Sequence, residues 1–405
     1  MITRNIYLNQ LKDFIGKPFI KVITGIRRSG KSVLLMLLKQ ELLKSNIAAE
    51  NIIYINFESF TVSDLKNSKH LYGFIKSKIT NNKKYYILLD EIQEVTEWEK
   101  VINALQVDFD TDIYITGSNS RLLSSELATY LSGRTIQINI YTLSFAEYLQ
   151  FRKEYSGTDT NDPYVAFDKY LRLGGFPSVH TANYNQEQAY KIVYDIYSSV
   201  ILRDVVQRFK IRDIALLERV VKFVFDNIGN KFSAKNIADY FKSQNRKLDL
   251  NTVYNYLNAL ESSYIILRIP RYNLRGKEIL KTNEKYFLSD TSLLYALTGY
   301  RDRLISGVLE NVAMLELKRR GYNVFTGKLD NLEIDFVAEK QDKKLYLQIA
   351  YKMTEKSTIE REYKPLLKIK DNFPKYVITT DEKWTDTLEG IEHKHIADFL
   401  LMENW

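Results

Sequence analysis

One eight-residue loop, Gly25-Ile-Arg-Arg-Ser-Gly-Lys31-Ser32, constrains this chain more than any other feature. It follows an apolar, β-branched run over residues 19–24 and leads into a helical pattern over 31–44. The glycines let consecutive backbone N–H groups face an anion, and the helix start adds a favourable dipole. A strand, a turn ending in Gly-Lys-Ser and a helix form a phosphate-binding unit. In such a unit Gly25, Arg27, Arg28, Ser29 and Gly30 surround the phosphates of a nucleotide, Lys31 contacts the β- and γ-phosphates, and the Ser32 hydroxyl coordinates Mg²⁺.

The flanking sequence supplies a sheet for this loop. Residues 52–56, 85–89 and 112–116 are short, branched or aromatic and bounded by turn or charged residues; helical patterns such as 97–107 separate them. Strands alternating with helices predict a parallel sheet covered on both faces. Tyr85-Tyr-Ile-Leu-Leu-Asp90-Glu91 ends in two acids. Asp90 is suited to complete the Mg²⁺ shell and Glu91 to polarise an attacking water, with simple strand capping as the competing account. The strand at 112–116 runs into Gly117-Ser118-Asn119-Ser120, where Ser118 or Asn119 could sense the γ-phosphate or form no more than a turn. Arg134, in Leu131-Ser-Gly-Arg134, is a candidate arginine finger, a role worth ~10³–10⁵ in rate; a surface salt bridge is its alternative.

Composition narrows the remaining chemistry. The 405 residues include no cysteine, which excludes disulfides, zinc ribbons, iron–sulfur clusters and thiol nucleophiles, and four histidines are few for a zinc site. The N-terminus lacks a charged head followed by an apolar core, and no apolar run approaches the ~20 residues of a membrane span. A soluble, cytoplasmic protein with no membrane partner is the expectation. Net charge is +8, and residues 205–285 hold 16 Lys and Arg against 8 Asp and Glu, so the whole excess lies in one segment.

That segment has its own pattern. Residues 232–241 read as a helix capped by Ser233, 242–249 as a polar turn, 251–262 as a second helix, 264–269 as a β-run and 271–285 as a basic tail. Helix, turn, helix and wing predict a winged helix. On DNA, its second helix would present Asn251, Thr252, Asn255 and Asn258 to base edges, with Arg246, Lys247, Arg271, Arg275 and Lys277 on phosphates. Packing against protein is the alternative use of such a module.

Ile23-Thr-Gly-Ile-Arg-Arg-Ser-Gly-Lys-Ser, Leu88-Leu-Asp-Glu-Ile-Gln93, Thr116-Gly-Ser-Asn-Ser, Leu131-Ser-Gly-Arg134, Leu171-Arg-Leu-Gly-Gly-Phe-Pro177, Leu202-Arg-Asp204 and Glu333-Ile-Asp335-Phe follow in one order. The series resembles a large prokaryotic family of AAA-type ATPases with a C-terminal domain of unknown function, over nearly the whole chain. The resemblance implies ATP and Mg²⁺ as cofactors and hydrolysis as the activity; AAA-type ATPases often work as homo-oligomeric rings in which Arg134 would reach a neighbour, and action in its own chain stays open.

Glu310 on a helix, Glu333-Ile-Asp335 on a strand and Gln348-Ile-Ala350 on the next strand resemble the nuclease fold of the PD-(D/E)xK type. Its chemistry uses acids to hold Mg²⁺ and a lysine to orient water. Glu310 and Asp335 supply acids and Gln348 stands at the second acid position, but Ala350 fills the lysine position. Lys352, two residues on, is the substitute candidate, and a fold retained without cleavage is the expectation.

The expected architecture is an α/β chain. An AAA-like P-loop ATPase domain spans 1–150, a helical linker 151–212, a winged helix 213–285 and an inactive restriction-endonuclease-like α/β domain 286–405. The expected function is Mg²⁺-dependent ATP hydrolysis that drives or times a switch of the two later domains on DNA. The alternatives are an ATP-regulated DNA-binding regulator with little turnover, or a metal-dependent nuclease.

Overall fold

The computed structural model describes residues 2–119, 133–156, 162–245, 248–299, 302–381 and 387–405. The chain divides into two units, residues 1–141 with 262–264, and residues 142–261 with 265–405.

The first unit runs α1 (Asn5–Lys12), β1 (Ile20–Thr24), α2 (Lys31–Lys44), β2 (Ile52–Asn56), α3 (Ser68–Lys78), β3 (Tyr85–Asp90), α4 (Trp98–Asp108), β4 (Thr111–Gly117) and β5 (Thr135–Asn139). Its sheet has the order β2-β3-β4-β1-β5, with every pairing parallel. Side chains alternate between faces along each strand. Val22, Ile55, Leu89 and Ile115 pack on Leu71, Ile75, Trp98, Ile102 and Leu105 of α3 and α4, while Ile23, Leu88 and Tyr114 pack on Leu11, Leu34 and Leu38 of α1 and α2. Burial on both faces explains why the central strands read as unbroken apolar runs. The exception is Lys21, fully buried, whose ammonium meets Asp112 Oδ1 at 2.5 Å and donates to the Lys17 carbonyl at 2.9 Å.

The second unit opens with α5 (Phe145–Ser156), α6 (Pro163–Leu173) and α7 (Gln186–Ser199), which continues into a π-helical stretch, Val200–Gln207. Then come α8 (Ile214–Asp226), β6 (Lys231–Phe232), α9 (Ala234–Ser243), α10 (Leu250–Ser262), β7 (Ile266–Asn273), β8 (Glu278–Leu288) and α11 (Ser292–Thr298). The chain ends with α12 (Ile305–Arg319), β9 (Asn323–Leu329), β10 (Leu332–Lys340), β11 (Lys343–Ile349), α13 (Lys356–Leu367), β12 (Lys375–Thr379), β13 (Ile391–His395) and α14 (Ile396–Leu401). Ser233 starts α9 through a capping box, its side chain bonding the Asn236 N–H while Asn236 returns a bond to the Ser233 N–H.

Eight strands join in one sheet, β13-β12-β11-β10-β9-β7-β8-β6. The junction is a parallel pairing of Arg271–Asn273 in β7 with Thr326–Lys328 in β9. Residues 271–285, read above as a basic tail, therefore form the β7–β8 hairpin inside this sheet. Residue 285, expected to end a domain, lies within β8. The Gly-Gly of Leu171–Pro177 is a packing device: Gly174 has φ +67°, and a Cβ there would lie 1.8 Å from Asp290 Oδ1. Gly175 donates its N–H to the other Asp290 oxygen at 2.8 Å.

Candidate functional site

The glycine-rich loop leaves the C-terminal end of β1, where open parallel sheets place their ligands. Gly25 has φ +151°, and a Cβ there would fall 2.1 Å from the Ile140 carbonyl oxygen, so only glycine lets the loop pass this close to the end of β5. Gly30, at φ +99°, turns the chain into α2. Lys31 is buried and donates to the Gly25 and Ile26 carbonyls at 3.1 and 3.2 Å; its ammonium lies 3.7 Å from Glu91 Oε1. Ser29 is fully buried, and its hydroxyl finds no partner among the described residues. An orphaned hydroxyl, an ammonium held on exchangeable carbonyls and a helix N-terminus together fit a polyphosphate. Arg27 pairs with Glu58, and Arg28 is exposed in a left-handed conformation at φ +66°.

Asp90 and Glu91 end β3 as one connected pair. Asp90 is fully buried; its Oδ1 accepts from Thr116 Oγ1 at 2.5 Å and its Oδ2 from Tyr54 Oη at 3.2 Å. Burial pushes the Asp90 carboxyl above its ordinary pKa, while hydrogen bonds from Thr116 and Ser32 pull the other way. The Ser32–Asp90 contact brings together the two side chains expected at Mg²⁺. Glu91 has φ +56°, and its N–H donates to Thr116 Oγ1 at 2.9 Å. Burial opposes ionisation of Glu91, but Lys31, the Gln93 amide and Arg27 outweigh it and hold its pKa below the ordinary value. Glu91 is thus a carboxylate beside the loop lysine, in a form that can accept a proton from water.

Ser118 and Asn119 are buried just after β4. Arg134 is not brought to this site. It is exposed at the start of β5, where its carbonyl accepts from Ile20 N–H at 2.8 Å. Since β5 runs parallel to β1, Arg134 lies at the opposite end of the sheet from the loop, roughly 13–16 Å away at ~3.3 Å per residue. Its guanidinium is thus not placed at the loop of its own chain.

In the second unit, α10 turns Asn251, Tyr254, Asn255 and Asn258 outward, the i, i+3, i+4, i+7 spacing of one face, with Thr252 half-buried beside them. Arg246 and Lys247 lie outside the described residues. Arg271 is half-buried on β7, Arg275 pairs with Asp330 at 2.8 Å, and Lys277 is exposed in the β7–β8 turn.

The acids of the last segment do converge. Glu310 on α12 and Glu333 and Asp335 on β10 surround Lys285 of β8, whose ammonium lies 2.8 Å from Glu310 Oε2, 3.1 Å from Glu333 Oε1 and 3.6 Å from Asp335 Oδ1. Gln348 lies between Asp335 and Glu362: its Oε1 accepts from Asp335 N–H at 3.3 Å and its Nε2 donates to Glu362 Oε2 at 3.0 Å. Lys352 is not on the strand face expected for it. The strand β11 ends at Ile349, and Lys352 is exposed with its ammonium over the Tyr351 ring.

Three residues that act here escaped sequence reasoning. Thr116 was legible only as a strand former. Arg4 is buried and donates to the Ser29 carbonyl in the loop at 2.8 Å and to the Tyr141 carbonyl at 2.9 Å. Lys285 looked like one more charge in a basic run.

Residues 17–149 match an AAA domain, and residues 165–304 match a domain of unknown function. An uncharacterised protein of Haemophilus influenzae is 42% identical over 402 residues, 99% of this chain and 99% of its own. One from Methanocaldococcus jannaschii is 30% identical over 400 residues, 95% of this chain and 88% of its own. The chain belongs to their family, an AAA-domain family. A Walker-type ATPase of Pyrococcus abyssi aligns with 73% of this chain and 96% of its own at a TM-score of 0.49 and 16% identity. The AAA domain contains the loop, Asp90, Glu91 and Thr116, consistent with nucleotide binding. The domain of unknown function takes in α10 and Lys285 but stops short of Glu310 and Asp335. Among the described residues, no helix is long and apolar enough to cross a membrane.

Proposed function

We propose that this AAA-family protein binds ATP with Mg²⁺ on the Gly25–Ser32 loop and hydrolyses it, the cycle driving or timing a rearrangement of the second unit. The observation that carries this reading is the Lys31–Glu91 pair under a loop with an unpartnered Ser29 hydroxyl. In this reading Lys31 exchanges the Gly25 and Ile26 carbonyls for phosphate oxygens. Ser32 and Asp90 would hold Mg²⁺, which when bound offsets phosphate charge. Glu91 orients water and takes its proton; Ser118 and Asn119 stand at the strand tip to sense the γ-phosphate. Arg134 is assigned to a neighbouring copy in a homo-oligomer. The test separates binding from turnover: Lys31→Ala loses nucleotide binding, whereas Glu91→Gln keeps it and lowers the hydrolysis rate by ~10²–10⁴. Wild-type turnover by Glu91→Gln removes Glu91 from the mechanism.

A second reading concerns the rest of the chain. The order α8–β6–α9–α10–β7–β8 supports the winged-helix reading, and the αβββαβ order of α12–β9–β10–β11–α13–β12 supports the nuclease-like comparison. With residues 151–212 as the helical linker, the outward Asn251, Tyr254, Asn255 and Asn258 face of α10 is a surface for base edges in a major groove. DNA affinity measured against salt concentration tests this face.

A further inference from the structure

The centre on Lys285 holds three carboxylates around one buried cation. Lys285 is 3% exposed, and it comes from β8, while Glu310 comes from α12 and Glu333 and Asp335 from β10. Close approach of α12 to the turn before β6 needs two glycines: a Cβ on Gly229 would lie 2.9 Å from the Gly307 Cα, and one on Gly307 would lie 2.5 Å from the Ile228 carbonyl oxygen. The helix carrying Glu310 is thereby pressed against the turn before β6.

Every group that a metal would need is already engaged. Asp335 Oδ2 accepts from Ile349 N–H at 2.8 Å while its Oδ1 faces Lys285. Gln348 is held at both ends, Glu333 also pairs with Lys231, and Glu310 accepts the hydrogen bond of Lys285. Among the described residues, no group of three or more His, Asp or Glu is placed to hold a metal ion. A divalent ion bonded to Glu310 and Asp335 would sit within a few ångströms of the ammonium, where like charges in a buried site repel strongly. Burial favours the neutral amine, yet Glu310, Asp335 and Glu333 outweigh it and raise the Lys285 pKa above its ordinary value.

We propose that the Lys285 ammonium is the resident cation of this centre, standing where a nuclease-like fold would hold Mg²⁺ or Mn²⁺ and closing the acids to metal. The inference rests on the nuclease-like reading for the identity of the displaced ion; the ammonium's place among the acids is independent of it. The lysine absent from position 350 has not been shifted along β11. A lysine from the neighbouring hairpin neutralises the acids instead, joining β8 to α12 and β10 by charge.

The test uses the full chain, nucleotide-free and carrying Asp90→Asn to remove the loop as a metal site. Bound Mn²⁺ is counted by electron paramagnetic resonance, and thermal midpoints are read with and without Mn²⁺. The parent should hold no Mn²⁺ that Asp335→Asn removes, and its midpoint should not respond. Adding Lys285→Met should lower the midpoint, create one Mn²⁺ site about tenfold or more tighter than any in the parent, and make Mn²⁺ restore stability, because the carboxylates lose their internal counter-ion. Lys285→Arg, which keeps the charge, should bind none. Parent Mn²⁺ that disappears with Asp335→Asn would overturn the proposal, and that result needs no Lys285 variant to fold. Folded Lys285→Met with no metal response would also overturn it. Rescue by Ca²⁺ but not by Mg²⁺ or Mn²⁺ would keep the ammonium's role and reject the nuclease-like reading.

Discussion

Thr116→Val tests whether the two acids of the nucleotide site are held by a strand threonine. Valine keeps the shape and removes the hydroxyl, which donates to Asp90 Oδ1 at 2.5 Å and accepts from Glu91 N–H at 2.9 Å. Asp90 and Thr116 are fully buried, so water cannot replace the lost partners. A hydrogen bond to a charged group contributes about 1.5–3 kcal/mol, and a stranded buried N–H costs about 1–3 kcal/mol. Because the valine methyl packs in the vacated space, a net loss of about 2–4 kcal/mol is expected. Glu91 also stands at φ +56°, a conformation disfavoured by roughly 1–2 kcal/mol for a residue with a Cβ, and would relax once its N–H is released. Displacing a catalytic carboxylate by about 1 Å lowers kcat by ~10². A third signature is acid–base. Burial raises the Asp90 pKa, and Thr116 is the first of the hydrogen bonds that oppose it. Its removal should move the acid limb of Mg²⁺-ATP turnover to higher pH. Urea unfolding, kcat and the pH profile are measured on wild type, Thr116→Val and Thr116→Ser, which should restore all three. Stability within about 0.5 kcal/mol of wild type, with an unmoved acid limb, would refute the reasoning.

Two further outcomes follow from buried charge. Asp112→Ala leaves the Lys21 ammonium fully buried with the Lys17 carbonyl as its hydrogen-bond acceptor and should lose about 3–5 kcal/mol, more than Lys21→Met; equal losses in thermal unfolding would contradict this. His180 is buried with its Nε2–H on the Gly174 carbonyl at 2.8 Å, and burial lowers its pKa from 6.5 to about 4. Between those values the unfolded chain takes up a proton that the folded chain refuses, so stability is full above pH 6.5 and falls by up to about 3 kcal/mol towards pH 4. Urea midpoints of wild type and His180→Asn across that range should show the smaller slope in the variant.

Much of the first unit is legible because its sheet is buried on both faces. The pattern over 52–56 coincides with β2 and that over 31–44 with α2. The strand β5 went unread because Thr135-Ile-Gln-Ile-Asn139 lies at the sheet edge and keeps polar side chains outward. The strand β8 was hidden for another reason. Glu278–Leu288 carries Lys281, Glu284 and Lys285, and a charged run reads as solvated surface unless the acids answering it are known. Those acids are 25 to 50 residues further along the chain. Likewise Arg4 reaches a carbonyl 137 residues away, and Thr116 matters only because β4 lies beside β3. Loop chemistry is local and readable; the groups that position it come from strand order.

Ion pairs to acids elsewhere in the chain bound what the basic segment can offer to DNA. Residues 205–285 hold eight more basic than acidic groups, yet Arg208, Lys231, Arg275 and Lys285 pair with Asp204, Glu333, Asp330 and Glu310, all outside the segment. Counting the ion pairs among the described residues, those four returns leave a net excess of about four charges, or about five if phosphate displaces Asp330 from the exposed Arg275. At roughly −0.9 per phosphate neutralised, the slope of log affinity against log salt should lie near −3.6 to −4.5, rather than the −7 that eight available charges would give. Filter binding of a duplex between about 50 and 200 mM salt resolves these values. A flat response removes α10 as a DNA-facing helix. A slope near −7 would mean that about eight basic groups contact phosphate, so that ion pairing to acids outside the segment does not limit the interface. A slope near −4 is the result expected if the Asn251–Asn258 face of α10 meets DNA while the β7–β8 hairpin keeps its ion pairs.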